Sequence, residues 1–167
     1  MYREIVTKAV VGKGKLANAN KAIVSTSNSV SKILGCWIIN HYFVNNYENG
    51  HVVARGKYDL HIWYGYNDDR DTAVHKQTID YVEEYTLNMK HIENLSEENE
   101  LSAKCAKYPV CSGLTLNEDG TISVIIEKEL RLDVIGETTL KVQIDSNYDE
   151  WVNDEDIENI NVDYMNK

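Results

Sequence analysis

Basic charge is scarce in this sequence. Lys and Arg number 17 against 27 Asp and Glu, a formal net charge of −10 in 167 residues. Affinity for nucleic acid begins with Lys and Arg displacing counterions from phosphates, so an acidic chain without a basic stripe is not expected to bind it. Long apolar runs are missing too. None approaches the roughly 18 residues that a membrane span needs, and the opening MYREIVTK lacks the apolar core of a signal peptide. The expected compartment is a cytoplasm. Cysteine is sparse: Cys36, Cys105 and Cys111 do not pair off evenly, and their spacing matches none of the tight pairs that mark zinc sites. Cys36, in LGCWII, reads as a small buried hydrophobe. Cys105 and Cys111, on either side of Pro109, are open to later oxidation between chains.

The residues that carry chemistry are also absent as patterns. VGKGK has two glycines but neither the further spacing nor the Ser or Thr partner of a phosphate loop, and reads as a turn leaving a strand. The histidines His41, His51, His61, His75 and His91 show no i, i+2 or i+4 pairing that would announce a metal site. No serine sits in a nucleophile turn of the GxSxG kind. Acids cluster only in runs such as Asp154, Glu155 and Asp156, where a solvated segment does not hold the geometry of general acid–base catalysis. No enzyme, cofactor or metal site is expected.

What is present is alternation. In HVVARGKYDLHIWYGY, Val52, Ala54, Gly56, Tyr58, Leu60, Ile62 and Tyr64 fall on one face and Val53, Arg55, Lys57, Asp59, His61 and Trp63 on the other, the period of a half-buried strand. YNDDRD at 66–71 is a concentrated turn signal, and the next segment puts Ile79, Tyr81, Tyr85, Leu87 and Met89 on one side, which predicts a hairpin. Further strands are predicted at 2–11, 33–44, 101–116, 121–135 and 138–144; in the fourth of these, Ile122, Val124, Ile126, Leu130, Leu132 and Val134 share a face. Turns are expected at Asn49-Gly50, at Asn117 to Gly120 and at Gly136. Lys13 to Lys32, rich in Ser, Asn, Ala and Lys, reads as a long connection, and HIENLSEENE at 91–100 as a loop. The expected fold is all-β, an antiparallel β-sandwich or flattened barrel over residues 1–144, with a flexible acidic tail over 145–167. That tail holds eight acids and one base, hence −7 of the net −10, and leaves the body at −3.

Eleven Tyr against one Phe means that aromatic positions keep a polar handle, which suits half-buried sheets and contact surfaces. Tyr2, Tyr47, Tyr148 and Tyr164 lie near ends and turns and are expected to be exposed, whereas Trp37 is expected in the core.

The strings YREIVTKAVVGKG, ILGCWIINH, GKYDLHIWYGY, YPVCSGLTLNEDG and VIGETTLKVQID, followed by YDEWVNDEDIENIN, resemble in order the CotE family of outer spore coat morphogenetic proteins of endospore-forming bacteria. The resemblance covers nearly the whole chain. It implies a non-enzymatic organiser, made in the mother-cell cytoplasm and then part of the spore coat. Such a protein self-associates into a homo-oligomer, depends on the basement-layer ATPase of the coat for placement, and recruits outer-coat client proteins. Within the tail, Trp151, Ile157, Ile160 and Tyr164 stand among acids and are the candidate partner-binding residues of a segment that orders on contact. The competing reading is a ligand- or carbohydrate-binding β-sandwich, which would present Tyr58, Trp63, Tyr64 and Tyr66 as an aromatic row.

Overall fold

A computed structural model describes residues 1–90 and 95–144. The described residues are all-β, with no helix among them: β1 (Tyr2–Val24), β2 (Val30–Glu48), β3 (His51–Tyr66), β4 (Asp71–Glu84), β5 (Thr86–Met89), β6 (Glu100–Leu116) and β7 (Ile122–Gln143). They form two antiparallel sheets, one ordered β5-β1-β7-β6 and the other β2-β3-β4. By contacts the described residues fall into two compact units, Ala9–Gly136 and a second that joins Met1–Lys8 to residues 137–144.

In the larger unit the inner faces of both sheets meet in one core. Alternation in β3 places Val52, Ala54, Tyr58, Leu60, Ile62 and Tyr64 inside, and alternation in β7 does the same for Ile122, Val124, Ile126, Leu130, Leu132 and Val134. Both faces are those expected from the sequence. The β2–β3 turn is Asn49-Gly50 with φ of 49° and 83°, left-handed at both central positions as a two-residue hairpin requires. In the β3–β4 turn Asn67, Asp68 and Asp69 are all left-handed, a conformation these short polar residues tolerate. The third turn closes with the Gly120 N–H donating to the Asn117 carbonyl at 3.0 Å. Pro109, which has no N–H to give to a ladder, sits on the edge strand β6 where its register against β7 slips between Lys107 and Val110.

Five expectations are corrected. Lys13 to Lys32 is mostly strand: β1 runs on to Val24, and only 25–29 connect it to β2. The alternation persists there, but in residues too small or too polar to read as core. A Cβ on Gly12 would meet the Met89 sulfur at 2.1 Å, and one on Gly14 the Leu87 and Leu132 side chains at 2.9 and 3.1 Å. Gly136 is no turn. It lies inside β7, where a Cβ would come within 2.8 Å of the Asn99 amide and 3.2 Å of Val11. Trp37 is 41% exposed, because Cys36 and Ile38 take the inward positions and the pleat turns Trp37 out against His61. Tyr47 packs on the core, whereas Tyr2 is open to solvent. The stretch after the β3–β4 turn is also two strands: it breaks at Tyr85, whose N–H donates to the Val52 carbonyl at 3.0 Å, so that β5 joins the other sheet beside β1. Within the loop expected at 91–100, residues 95–99 lie outside any strand and Glu100 opens β6; 91–94 lie outside the described residues.

In the smaller unit, the Ile144 N–H donates to the Met1 carbonyl at 3.1 Å and Lys141 pairs with Glu4 at 3.7 Å. Tyr2, Ile5, Val6 and Leu140 keep their apolar side chains exposed there.

Leu60 is fully enclosed at the middle of the central strand of its sheet. Leu60→Ala is expected to cost about 3–5 kcal/mol, as cavity-forming changes do, and Trp37→Ala less than about 1 kcal/mol. Urea unfolding midpoints of the two variants check the difference.

Candidate functional site

The outward face of β2-β3-β4 is unusually apolar for a charged protein. Antiparallel register sets Trp37 beside His61, Gly35 beside Trp63 and Ile39 beside Asp59, and then Trp63 beside Val74 and Arg55 beside Val82. The left-handed Asn40 marks a slip in the β2 register between Ile39 and Tyr42, and its amide donates to Asp59 at 2.8 Å. Trp37, Ile39, Tyr42, Val44, Trp63, Val74 and Val82 are all exposed. The Trp37 ring meets His61 edge-on at 5.8 Å, and a shallow hollow opens beside it between Asp59, His61, Lys76 and Thr78. A patch of this kind, rimmed by polar groups, suits contact with another molecule.

The inward face holds the opposite anomaly, a buried charge. Lys128 occupies the one inward position of β7 between Ile126 and Leu130, and its side chain is 1% exposed. The ammonium donates to Glu83 at 2.7 and 2.9 Å and to the Asn18 amide oxygen at 3.1 Å, and lies 4.2 Å from the centre of the Tyr81 ring. Asn18 and Asn20 each donate to Glu83 at 2.6 Å. Tyr81 continues the chain of contacts to His41 at 2.7 Å, and the other nitrogen of that ring meets Cys105 at 3.9 Å. Burial alone would raise the Glu83 pKa, but the hydrogen bonds from Lys128 and Asn18 and the lysine charge outweigh it and hold the carboxyl below its ordinary value. Burial, and then the Lys128 charge, hold His41 below the ordinary imidazole value and keep it neutral. Burial raises Tyr81 as well, and pushes Tyr58 up to about 12. The cluster links β1, β2, β4 and β7 through charge and hydrogen bonds.

Comparison with known families matches residues 1–167 to outer spore coat protein E (CotE). The chain belongs to the CotE family. No curated protein and no solved structure matches it. CotE is a family of structural spore coat proteins, and membership gives this chain a role in the coat, with contacts to be expected within that layer. Among the described residues no helix is long and apolar enough to cross a membrane.

The residues singled out beforehand fare unevenly. Trp151, Ile157, Ile160 and Tyr164 lie outside the described residues. The aromatic row of the ligand-binding reading does not form: Tyr58 and Tyr64 point into the core at 2% exposure, Tyr66 packs beside Tyr64, and Trp63 alone faces outward. The outward apolar group and the Lys128 cluster were both missed. Lys128 had a signal, since it fills the single gap in the inward run from Ile122 to Val134.

Glu83→Ala strands a buried ammonium and is expected to cost about 3–5 kcal/mol, with the Lys128→Met/Glu83→Leu pair recovering most of it. Acid should weaken the fold in two steps. An unfolded His41 takes up its proton before the folded one, so its contribution is complete above about pH 6.5 and drains as pH falls through the lower folded value. The Glu83 contribution is complete above about pH 4.5 and is lost below it by the same sign. Urea midpoints against pH check both steps, with His41→Gln abolishing the first.

Proposed function

We propose that this CotE-family chain is a non-enzymatic organiser of the spore coat that self-associates through its sheet-rich body. On this reading it is made in the mother-cell cytoplasm, is placed around the forespore through the basement-layer ATPase of the coat, and gathers outer-coat proteins through residues 145–167. The observation that carries it is the exposed apolar face of β2-β3-β4, with Trp37 and Trp63 at adjacent rows. Aromatic residues that stay in water in the single chain are the usual anchors of protein contacts, and removing them from water supplies the association energy. A second support is the unpaired backbone edge of β4, which pairs with β3 only among the described residues and can accept another strand. The tail adds Trp151, Ile157, Ile160 and Tyr164 among its acids, a pattern suited to a segment that contacts several partners.

Light scattering on the full-length protein at tens of micromolar tests self-association, that range being on the order of weak to moderate affinity. The parent is expected to exceed the mass of a single chain, and Trp37→Ser/Trp63→Ser to return toward it with little change in melting. A parent that stays a single chain would count against the reading. Deleting 145–167 is expected to leave the oligomer and its melting unchanged while outer-coat proteins fail to gather on the spore. Normal coat assembly after that deletion moves recruitment to the body.

A further inference from the structure

All three cysteines lie where β2 and β6 come together. The two strands belong to different sheets, yet they approach to Cα separations of 8 Å or less. The Cys36 thiol of β2 lies close enough to Cys111 of β6 for the two to interact, and the Cys111 thiol itself donates to the Gly113 carbonyl at 3.5 Å. Further along, Cys105 of β6 meets His41 of β2 at 3.9 Å. Going from Cys36 to His41 up β2 therefore goes from Cys111 to Cys105 down β6, so the strands run antiparallel along this seam. The extra residue on β6 is taken up by its register slips between Cys105 and Gly113. Cys36 and Cys111 are both partly buried against the core, and both remain partly open to a small reagent.

We propose that Cys36 and Cys111 are an oxidisable pair whose disulfide staples β2 to β6, and so ties the two sheets of the larger unit to each other. The two thiols belong to one chain and interact with each other, while Cys105 faces an imidazole. The oxidant is a low-molecular-weight disulfide, RSSR. Cys111 gives up its proton and its sulfur attacks one sulfur of RSSR, breaking that S–S bond and releasing RSH with the mixed disulfide left on Cys111. Cys36 then loses its proton, and its sulfur displaces the second RS group, which leaves as RSH. Two electrons and two protons pass to the oxidant, and one S–S bond replaces another. Burial, and next the interaction with Cys111, push the Cys36 thiol up to about 12, which suits Cys36 to the later, resolving step.

Trypsin separates the three cysteines, onto peptides 33–55, 105–107 and 108–128. Full-length protein, half of it labelled with ¹⁵N, is incubated with oxidised glutathione, blocked with an alkylating reagent, digested and weighed by mass spectrometry. The expected product joins 33–55 to 108–128 within one isotope label, with Cys105 alkylated. The thermal midpoint should rise on the order of 10 °C, the gain expected from closing so long a loop, and fall back with a reductant. Cys36→Ser and Cys111→Ser should each lose the product and the rise, and Cys105→Ser should keep both. Mixed isotope labels in the linked peptides, a link to 105–107, or three alkylated cysteines after oxidation would each overturn the proposal. The parent protein alone decides it, whether or not a serine variant folds.

Discussion

A lysine ammonium taken out of water must be met on every side, and in this fold that requirement reaches across both sheets. Lys128 comes from β7, its carboxylate and aromatic partners from β4, and its amide partner Asn18 from β1. Strand side chains alternate, so a slip of one residue in any of the three would turn a partner to the wrong face and strand the charge. The apolar core around it is tolerant by comparison, since neighbouring Ile, Leu and Val can exchange positions at small cost. The ion pair thus adds to the register preference that the alternating apolar rows already set. Its cost explains why the half-buried Asn18 stands in the inward row of β1, with the exposed Asn20 reaching the same carboxylate from the rim.

The same alternation governs the outside. A strand buries every second residue, and the others face whatever lies beyond the sheet. On β2-β3-β4 those others include two tryptophans, an isoleucine and three valines, where a sheet that remains in water would carry charge. In a CotE-family coat protein such a face is at home in a layer built from protein. The seam between β2 and β6 then matters from the inner side, because whatever holds β2 in place also holds the row that carries Trp37.

Much of the architecture was legible as period two. The β3 boundaries, the two inward faces and the Asn-Gly turn follow from residue type because each depends on local chemistry alone. What was hidden depends on neighbours distant in sequence. Residues 13–24 read as a loop since Gly12, Gly14, Asn18 and Asn20 look like turn formers, yet each is matched to a group from elsewhere, the first two to Met89, Leu87 and Leu132, the last two to Glu83. Trp37 was misplaced because hydrophobicity names a residue suited to burial without naming the face; its neighbours Cys36 and Ile38 were equally apolar. The outward patch is invisible to any reading that assigns large apolar residues to the core by default.

The strand order also has a consequence in time. β2, β3 and β4 pair with sequence neighbours through short turns, so their sheet can form as soon as residue 84 has left the ribosome. β1 has no partner among them. Its sheet neighbours are β5 and β7, and β7 ends at Gln143, so the first strand made is among the last to be enclosed. Non-local pairing of this kind is slow. For the whole of that interval β1 presents open backbone edges, and a second nascent chain from the same message offers the same edges beside it. Synthesis on clustered ribosomes therefore gives strand exchange between copies its best opportunity before either chain is complete.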